Sequence, residues 1–509
     1  MSIPPAQTEV ATWLRRLAGA TPVETPISLV FLGQDTAWKL KKAVRLPFLD
    51  FTATAERRRF AERELALNAA AAPGLYRDVV PVIREADGRL AFGSGEGAGR
   101  PVLDWVLRMA RVPAGDFLDA IAAAHRLDGP LLDALADAVV RSHAACPRVG
   151  LADPLARMLA VTSGNAVAAR AAGLDAAAVA RWEQAETAAL ERLGPWLAAR
   201  ARAGFVRRAH GDLHLGNLCL WQGQPVPFDA LEFDEALATI DLGYDLAFLL
   251  MDLDRRAGRA AANRVMNRYV ARTGDTGLVA GLPAFLSQRA MVRAHVLARG
   301  GNHASAGASL DAALAYLRAE PPVVVAIGGL QGTGKSTLAR ALAPGLGRAP
   351  GALVLRSDEI RKRLHGVAPE VPLPAAAYAE AVSRRVFRAL AAAAREAAAA
   401  GQAVIADATF LDPRYRRALA RAAGAVPFVG LWLEAPLASL EARLDARRGD
   451  ASDATATVLR ASSKRHRAPR SWTRIDAIVA GAALEQARAR LARVQECNVS
   501  SLSGAGRGP

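Results

Sequence analysis

Val323-Val324-Val325-Ala326-Ile327-Gly328-Gly329-Leu330-Gln331-Gly332-Thr333-Gly334-Lys335-Ser336-Thr337 is an apolar run that leads directly into G-x-x-x-x-G-K-[ST]. The apolar part reads as a buried strand, and the helical pattern after Ser336 supplies the strand, loop and helix order that a P-loop requires. Gly329, Gly332 and Gly334 let backbone N–H groups, with Thr333 and Thr337 beside them, curl around phosphate oxygens. Lys335 can reach the outer phosphates, the Ser336 hydroxyl can ligate Mg²⁺, and the helix adds its positive end. The stretch predicts a site for a nucleoside triphosphate, with ATP and Mg²⁺ as cofactors.

Working outward towards the carboxy terminus, strand patterns at 352–355, 403–406 and 427–433 alternate with helical ones, the rhythm of a parallel sheet covered on both faces. Leu353-Val354-Leu355-Arg356-Ser357-Asp358 and Val404-Ile405-Ala406-Asp407 each place an acid at a strand end, where open parallel sheets bind their ligands. Asp407 is the expected Mg²⁺ carboxylate, acting through Ser336 or water. Asp358 reads either as a working acid or as a helix cap. Arg443, Arg447 and Arg448 suggest a basic helix that neutralises phosphate charge. This half resembles the small P-loop kinases that include polynucleotide kinase, gluconate kinase and zeta-toxin-like enzymes. Ser357-Asp358-Glu359-Ile360-Arg361 in particular resembles the polynucleotide kinase segment, which implies Asp358 as general base and Arg361 as a contact to substrate phosphate.

Working outward in the other direction, Glu320-Pro321-Pro322 marks a stiff boundary. The chain before it opens with a hairpin, 27–32 and 37–40, across a Gly33-Gln34-Asp35 turn. A helix over 55–71, strands at 79–84, 89–92 and 101–107, and a long helical region from 116 onward follow. His210-Gly211-Asp212-Leu213-His214-Leu215-Gly216-Asn217 sets an Asp five residues before an Asn, and Asp229 follows twelve residues later. A phosphoryl-transfer site needs a carboxylate for the hydroxyl proton and oxygen ligands for Mg²⁺, which these residues could supply. The alternative reading makes Asp212 and Asn217 loop caps.

That loop, with Asp229 and Asp241-Leu242-Gly243-Tyr244-Asp245, resembles aminoglycoside phosphotransferase and related kinase-like folds. The resemblance implies Asp212 as catalytic base, Asn217 and Asp229 as Mg²⁺ ligands, His210 as a brace of the loop and Asp245 as structural. It also implies that Lys39 contacts nucleotide phosphates and that Glu64 is its helix partner, with Lys41 as the competing lysine and a solvated helix acid as the competing reading of Glu64. The pattern departs from the family at the nucleotide loop, where Gly33 stands almost alone. The order as a whole resembles a bacterial family in which an aminoglycoside phosphotransferase-like domain is fused to a P-loop kinase.

Across its 509 residues the chain is 52% hydrophobic, enough for large cores, and no apolar run reaches the length of a membrane span. The amino terminus lacks a signal-peptide pattern, so a cytoplasmic setting is expected. Cys146, Cys219 and Cys497 are too far apart to suggest a disulfide framework or thiolate metal site. The net charge of +16 is spread through an Ala- and Arg-rich chain rather than gathered in a footprint. The basic stretch 460–474 reads first as a solvated face, so nucleic acid is not favoured as partner.

The expected architecture is therefore an α+β kinase-like domain over 1–320, an α/β P-loop domain with a parallel sheet over 323–496, and a disordered tail over 497–509. The expected function is ATP-dependent phosphoryl transfer to a small-molecule hydroxyl. Two other readings stay open: a non-catalytic amino-terminal binding module with a P-loop ATPase switch, and a polynucleotide 5′-hydroxyl kinase in the carboxy-terminal half.

Overall fold

The computed structural model describes residues 3–46, 49–95, 97, 99–446, 451–464 and 468–504, with side chains as far as 494. The chain forms two compact units, one of residues 1–153 and 198–252, the other of residues 154–197 and 253–509. The kinase-like α+β fold and the P-loop α/β fold are both present.

In the first unit six strands form an antiparallel sheet in the order Val23–Glu24, Ser28–Leu32, Thr36–Lys41, Val102–Ala110, Tyr76–Arg84, Leu90–Phe92. The expected hairpin is there, with Leu32 opposite Ala37 and Ser28 opposite Lys41. Because side chains alternate along a strand, Leu40 packs with Leu29, Phe31, Val82 and Val106 against Val10 and Leu14 of the helix Thr8–Ala18. Lys39 and Lys41 fall on the opposite face. The helix Thr54–Asn68 buries a stripe there that is polar apart from Ala61: Arg57, Ala61, Glu64 and Asn68. Arg57 grips Asp104 of the sheet with two hydrogen bonds of 2.9 and 3.0 Å, so paired charge does what an apolar face does elsewhere.

In the second unit five strands are all parallel, in the order Leu353–Arg356, Val404–Asp407, Val324–Gly329, Phe428–Glu434, Thr473–Asp476. The P-loop strand is central and carries Val325 and Ile327 into a core with Leu338, Ile405, Leu431 and Leu433. The strand Thr473–Asp476 was not expected; it begins inside the basic stretch. The opposite edge strand is covered by the helix Arg259–Thr273, where Asn267 Oδ1 accepts from the Val354 N–H at 2.7 Å and Asn263 donates to the Ala352 carbonyl. The division at residues 320–323 read from sequence marks where helical pattern gives way to the P-loop strand, whereas the compact unit also takes in these helices. The last helix runs Ala480–Gly504 and so extends into the segment read as a tail.

The same unit buries an unusual acid. Glu186, in the helix Ala176–Arg202, is fully buried with Ser287 and Gln288 as polar neighbours, and burial pushes its pKa up to about 8. The folded state then holds a proton that the unfolded chain gives up near pH 4.5, so stability is lost as pH rises from about 4.5 to about 8. Glu186→Gln, which mimics the protonated acid, should stabilise the protein by on the order of a few kcal/mol at pH 8 and above and by little at pH 4. Denaturant unfolding of both proteins at the two pH values checks this; equal gains at both would remove the linkage.

Candidate functional site

The P-loop itself sets the geometry of the carboxy-terminal site. Gly332 has φ 80° and Gly334 φ 85°. A Cβ on Gly332 would lie 2.7 Å from the Leu440 carbonyl oxygen, so glycine is required there by both conformation and space. Lys335 opens the helix Lys335–Leu342 and folds its ammonium back onto the Leu330 carbonyl at 2.7 Å, with the Thr333 hydroxyl on the same oxygen at 2.9 Å. An ammonium held across the loop by a carbonyl can exchange that oxygen for phosphate. Ser336 Oγ donates to Asp407 Oδ2 at 2.5 Å. Hydroxyl and carboxylate together form an oxygen pair of the kind Mg²⁺ takes from protein, leaving its other positions to phosphate and water.

A cavity of about 230 Å³ opens in front of this pair, lined by Lys335, Ser336, Asp407, Asp358, Arg443 and Ser452 among others. Thr337 and Gly334 also face it. Burial and the neighbouring Asp407 raise the pKa of Asp358, against the opposing pull of Arg356 and Lys335. Arg443 reaches the loop, donating to the Gly332 carbonyl at 3.5 Å and, on its other side, to the Ile478 carbonyl at 2.8 Å. Arg447 and Arg448 lie outside the described residues.

Arg361 is placed differently from the sequence reading. Its guanidinium is buried, donates to the Ala377 carbonyl at 2.7 Å and to Ser383 Oγ at 3.3 Å, and covers the Tyr378 ring at 4.7 Å. It does not line the cavity. Although residues three apart lie on neighbouring parts of one helix face, the Ala377 carbonyl, Ser383 and the Tyr378 ring hold the Arg361 guanidinium away from the cavity that Asp358 lines.

Sequence reasoning missed two groups here. Arg356, the residue before Ser357, stands 3.3 Å from Asp407 and 2.9 Å from Glu359. Asp453 accepts from the fully buried Lys362 with both carboxylate oxygens at 2.7 Å and from the Tyr378 hydroxyl at 2.5 Å, which fixes the backbone beside Ser452.

The amino-terminal site centres on Glu64. One of its oxygens accepts from Lys39 at 2.7 Å and the other from Lys41 at 2.8 Å. Lys39 continues to Asp229 at 2.6 Å, and Lys41 to Glu232. Burial opposes the charge on Glu64, yet the two ammoniums outweigh it and hold the carboxyl at about 2. Burial likewise works against the Lys39 charge, and the Asp229 and Glu64 carboxylates overcome it, raising its pKa well above that of an ordinary lysine. The two competing lysines differ in setting: Lys41 is 2% exposed between Glu64 and Glu232, whereas Lys39 is 12% exposed between Glu64 and Asp229. Glu232 was not anticipated.

The loop carrying Asp212 is braced from below. Asp245, fully buried, accepts from the backbone N–H groups of His210 at 3.1 Å and Gly211 at 2.9 Å, while the His210 ring meets the Phe228 carbonyl at 2.9 Å. Asn217 Nδ2 donates to Asp212 Oδ2 at 2.9 Å and to the Asp212 carbonyl at 3.0 Å, so the two residues five apart are brought together as the motif requires. Asp229 adopts φ 60°, a left-handed conformation that is uncommon outside glycine, with its N–H bonded to the Tyr76 hydroxyl.

At the expected nucleotide loop the structure has only the short Gly33-Gln34-Asp35 turn. A Cβ on Gly33 would lie 2.5 Å from the Trp38 ring, and Arg111 and Arg77 hold the carbonyls of Gly33 and Asp35.

No described helix is long and apolar enough to cross a membrane. Residues 324–469 match the family described as an AAA domain. The chain is 30% identical over 460 residues to the uncharacterized protein Rv2004c of Mycobacterium tuberculosis, which covers 87% of this chain and 89% of that one. It is similar to a gluconokinase from Sinorhizobium meliloti 1021, at 22% identity and a TM-score of 0.26, over 36% of this chain and 99% of that one. It is also similar to aminoglycoside phosphotransferase APH(4)-Ia, at 15% identity and a TM-score of 0.38, over 61% of this chain and 98% of that one. The AAA-domain match and the P-loop geometry together support an ATP-binding role. With identity sustained across most of both sequences, the chain belongs to the family of the mycobacterial protein.

Proposed function

We propose that the protein is an ATP-dependent kinase with two Mg²⁺-ATP sites, one in a domain over 1–320 and one in a domain over 323–496, working in the cytoplasm on small-molecule hydroxyl acceptors. The observation that carries this reading is the lining of the P-loop cavity: Lys335, Ser336 and Asp407 share it with Asp358, whose pKa is raised. A kinase needs such an acid to accept the acceptor's proton, whereas an ATPase would turn it on water, so a phosphorylated product is what separates the two readings. Lys335, the P-loop amides and Arg443 hold the transferring phosphoryl group. Ser336 and Asp407 would hold Mg²⁺, which when bound would neutralise phosphate charge. Arg361 serves through Tyr378 and the segment 377–383 rather than by direct contact.

In the amino-terminal site Lys39, steadied by Glu64, holds phosphate oxygens, Asn217 and Asp229 supply metal ligands, and Asp212 takes the hydroxyl proton. The short Gly33 turn, closed by Arg77 and Arg111, favours a second reading in which this lobe binds ligand without catalysis. The nucleic-acid reading gains no support, because Arg460 is paired with Glu441 and Arg470 lines a groove separate from the P-loop cavity.

Incubation of the full chain with γ-labelled ATP and a metabolite extract tests the kinase reading, with a labelled small molecule as the expected result. In a Lys335→Ala background, Asp229→Ala should abolish Mg²⁺-dependent nucleotide binding at the amino-terminal site, whereas Asp212→Ala should leave binding intact and stop transfer, because a metal ligand acts in the ground state and a base acts during reaction. If that background binds no nucleotide at millimolar concentration before either change, the non-catalytic reading replaces this one for the amino-terminal lobe.

A further inference from the structure

We propose that a second ligand site lies behind the amino-terminal catalytic loop and takes a small amphipathic anion. A cavity of about 450 Å³ is present there, within the usual size range of ligand pockets. Its walls come from segments that each adjoin a reactive group. Asn68 lies one helical turn beyond Glu64, His210 two residues before Asp212, and Ala230 directly after Asp229. The helix Gly129–Ala145 closes the far side through Arg141 and Ala145.

The lining sets the chemistry of the occupant. Alanines, prolines, Leu67 and Val226 offer an apolar body site, and no aspartate or glutamate lines it. Two guanidiniums do. Arg141 is exposed at the rim. Arg208 is 8% exposed and donates to the carbonyls of Ala209 and Leu231, with Glu235 3.4 Å from its terminal nitrogens, yet its Nε is buried without a hydrogen-bond partner. That N–H is closed off from the cavity, so the preference for an anion rests on the charge of the two guanidiniums on a wall without carboxylates. Burial and the nearby Arg63 also depress the pKa of Arg208, a strain that a bound anion would relieve.

Asn68 connects this cavity to the site in front. Its Nδ2 donates to the Glu64 carbonyl at 2.8 Å and its Oδ1 accepts from the Ala230 N–H at 3.0 Å. One cavity-lining side chain therefore ties the helix of Glu64 to the residue after Asp229, and an occupant that shifts it shifts the spacing of both. Binding stands apart from the phosphotransfer reading, on which only this coupling rests.

Calorimetric titration of the full chain with octanoate, octyl phosphate and 1-octanol tests the site. Both anions should bind, with the alcohol roughly tenfold or more weaker. Arg141→Glu should weaken both anions by a similar factor and leave the alcohol unchanged; octanoate affected without octyl phosphate identifies a carboxylate site, and the reverse a phosphate site. Ala145→Trp, at an exposed rim position, should fill the mouth and remove all three, while a thermal melt shows the fold retained. Absence of binding at millimolar probe, no preference for anion over alcohol, or anion binding unaltered in Ala145→Trp would each overturn the site. In a Lys335→Ala background, octanoate should also shift ATP-analogue affinity at least severalfold. Anion binding with no such shift would retain the site and reject its coupling to Glu64 and Asp229, whereas loss of ATP binding without octanoate present would count against the phosphotransfer reading instead.

Discussion

Lys335→Ala is expected to lower ATP affinity at the P-loop roughly 100-fold or more, since on the proposed reading the ammonium would make charge-assisted contacts to two phosphates and each such contact is worth ~1.5–3 kcal/mol. The fold should survive. Lys335 is half-buried and its ammonium donates to the Leu330 carbonyl, while the helix it opens is anchored through Leu338, Ala339 and Leu342. Titration with a fluorescent ATP analogue in an Asp229→Ala background, with a thermal melt beside it, reads the two effects separately. Unchanged affinity there would dismiss the P-loop as the nucleotide site, and a collapsed melt would mean that the lysine serves packing after all.

Asp358→Asn should hold ATP affinity and reduce transfer to the acceptor by roughly 100-fold or more, the usual range for loss of a general base. Asn keeps the size and removes the basicity, and Ser336 with Asp407 already furnish the metal side. The pH dependence follows from the direction of the shift. Burial and Asp407 raise the pKa of Asp358, so the base is protonated and idle below that raised value and the acid limb of the rate profile lies at higher pH than for an ordinary aspartate. The variant should lose that limb. Full transfer in Asp358→Asn would return Asp358 to a helix-capping role.

What could be read in the sequence follows from how local each feature is. The P-loop is nine contiguous residues whose glycine positions are demanded by backbone conformation, and the structure has positive φ at Gly332 and Gly334. The spacing of Asp212 and Asn217 is equally local, and a single 3₁₀ turn over Leu215–Asn217 brings them together. Strand register is not local. Lys39 and Lys41 lie two apart and so share one face; the partners that distinguish them, Asp229 and Glu232, arrive 190 residues later. Asp453 escaped notice for the same reason, since its partner Lys362 is 91 residues away. The edge strand Thr473–Asp476 was hidden by its own composition: only Ile475 is buried, so no alternation stands out. Arg361 was assigned by the resemblance of its segment, and the groups that hold it, the Ala377 carbonyl and Ser383, lie 16 and 22 residues further on.

The division of Glu64 between two lysines, one oxygen to each, bears on how this site can vary over evolutionary time. Replacing either lysine unbalances the other through the shared carboxylate, so effects at positions 39, 41 and 64 should be strongly non-additive. Glu232 extends the group to a fourth position. A lineage that loses one member gains little by keeping the rest, and drift should tend to preserve the set intact or dismantle it together. Among relatives, the joint presence or joint loss of these four charges would then separate lobes that still handle phosphate from those that have given it up.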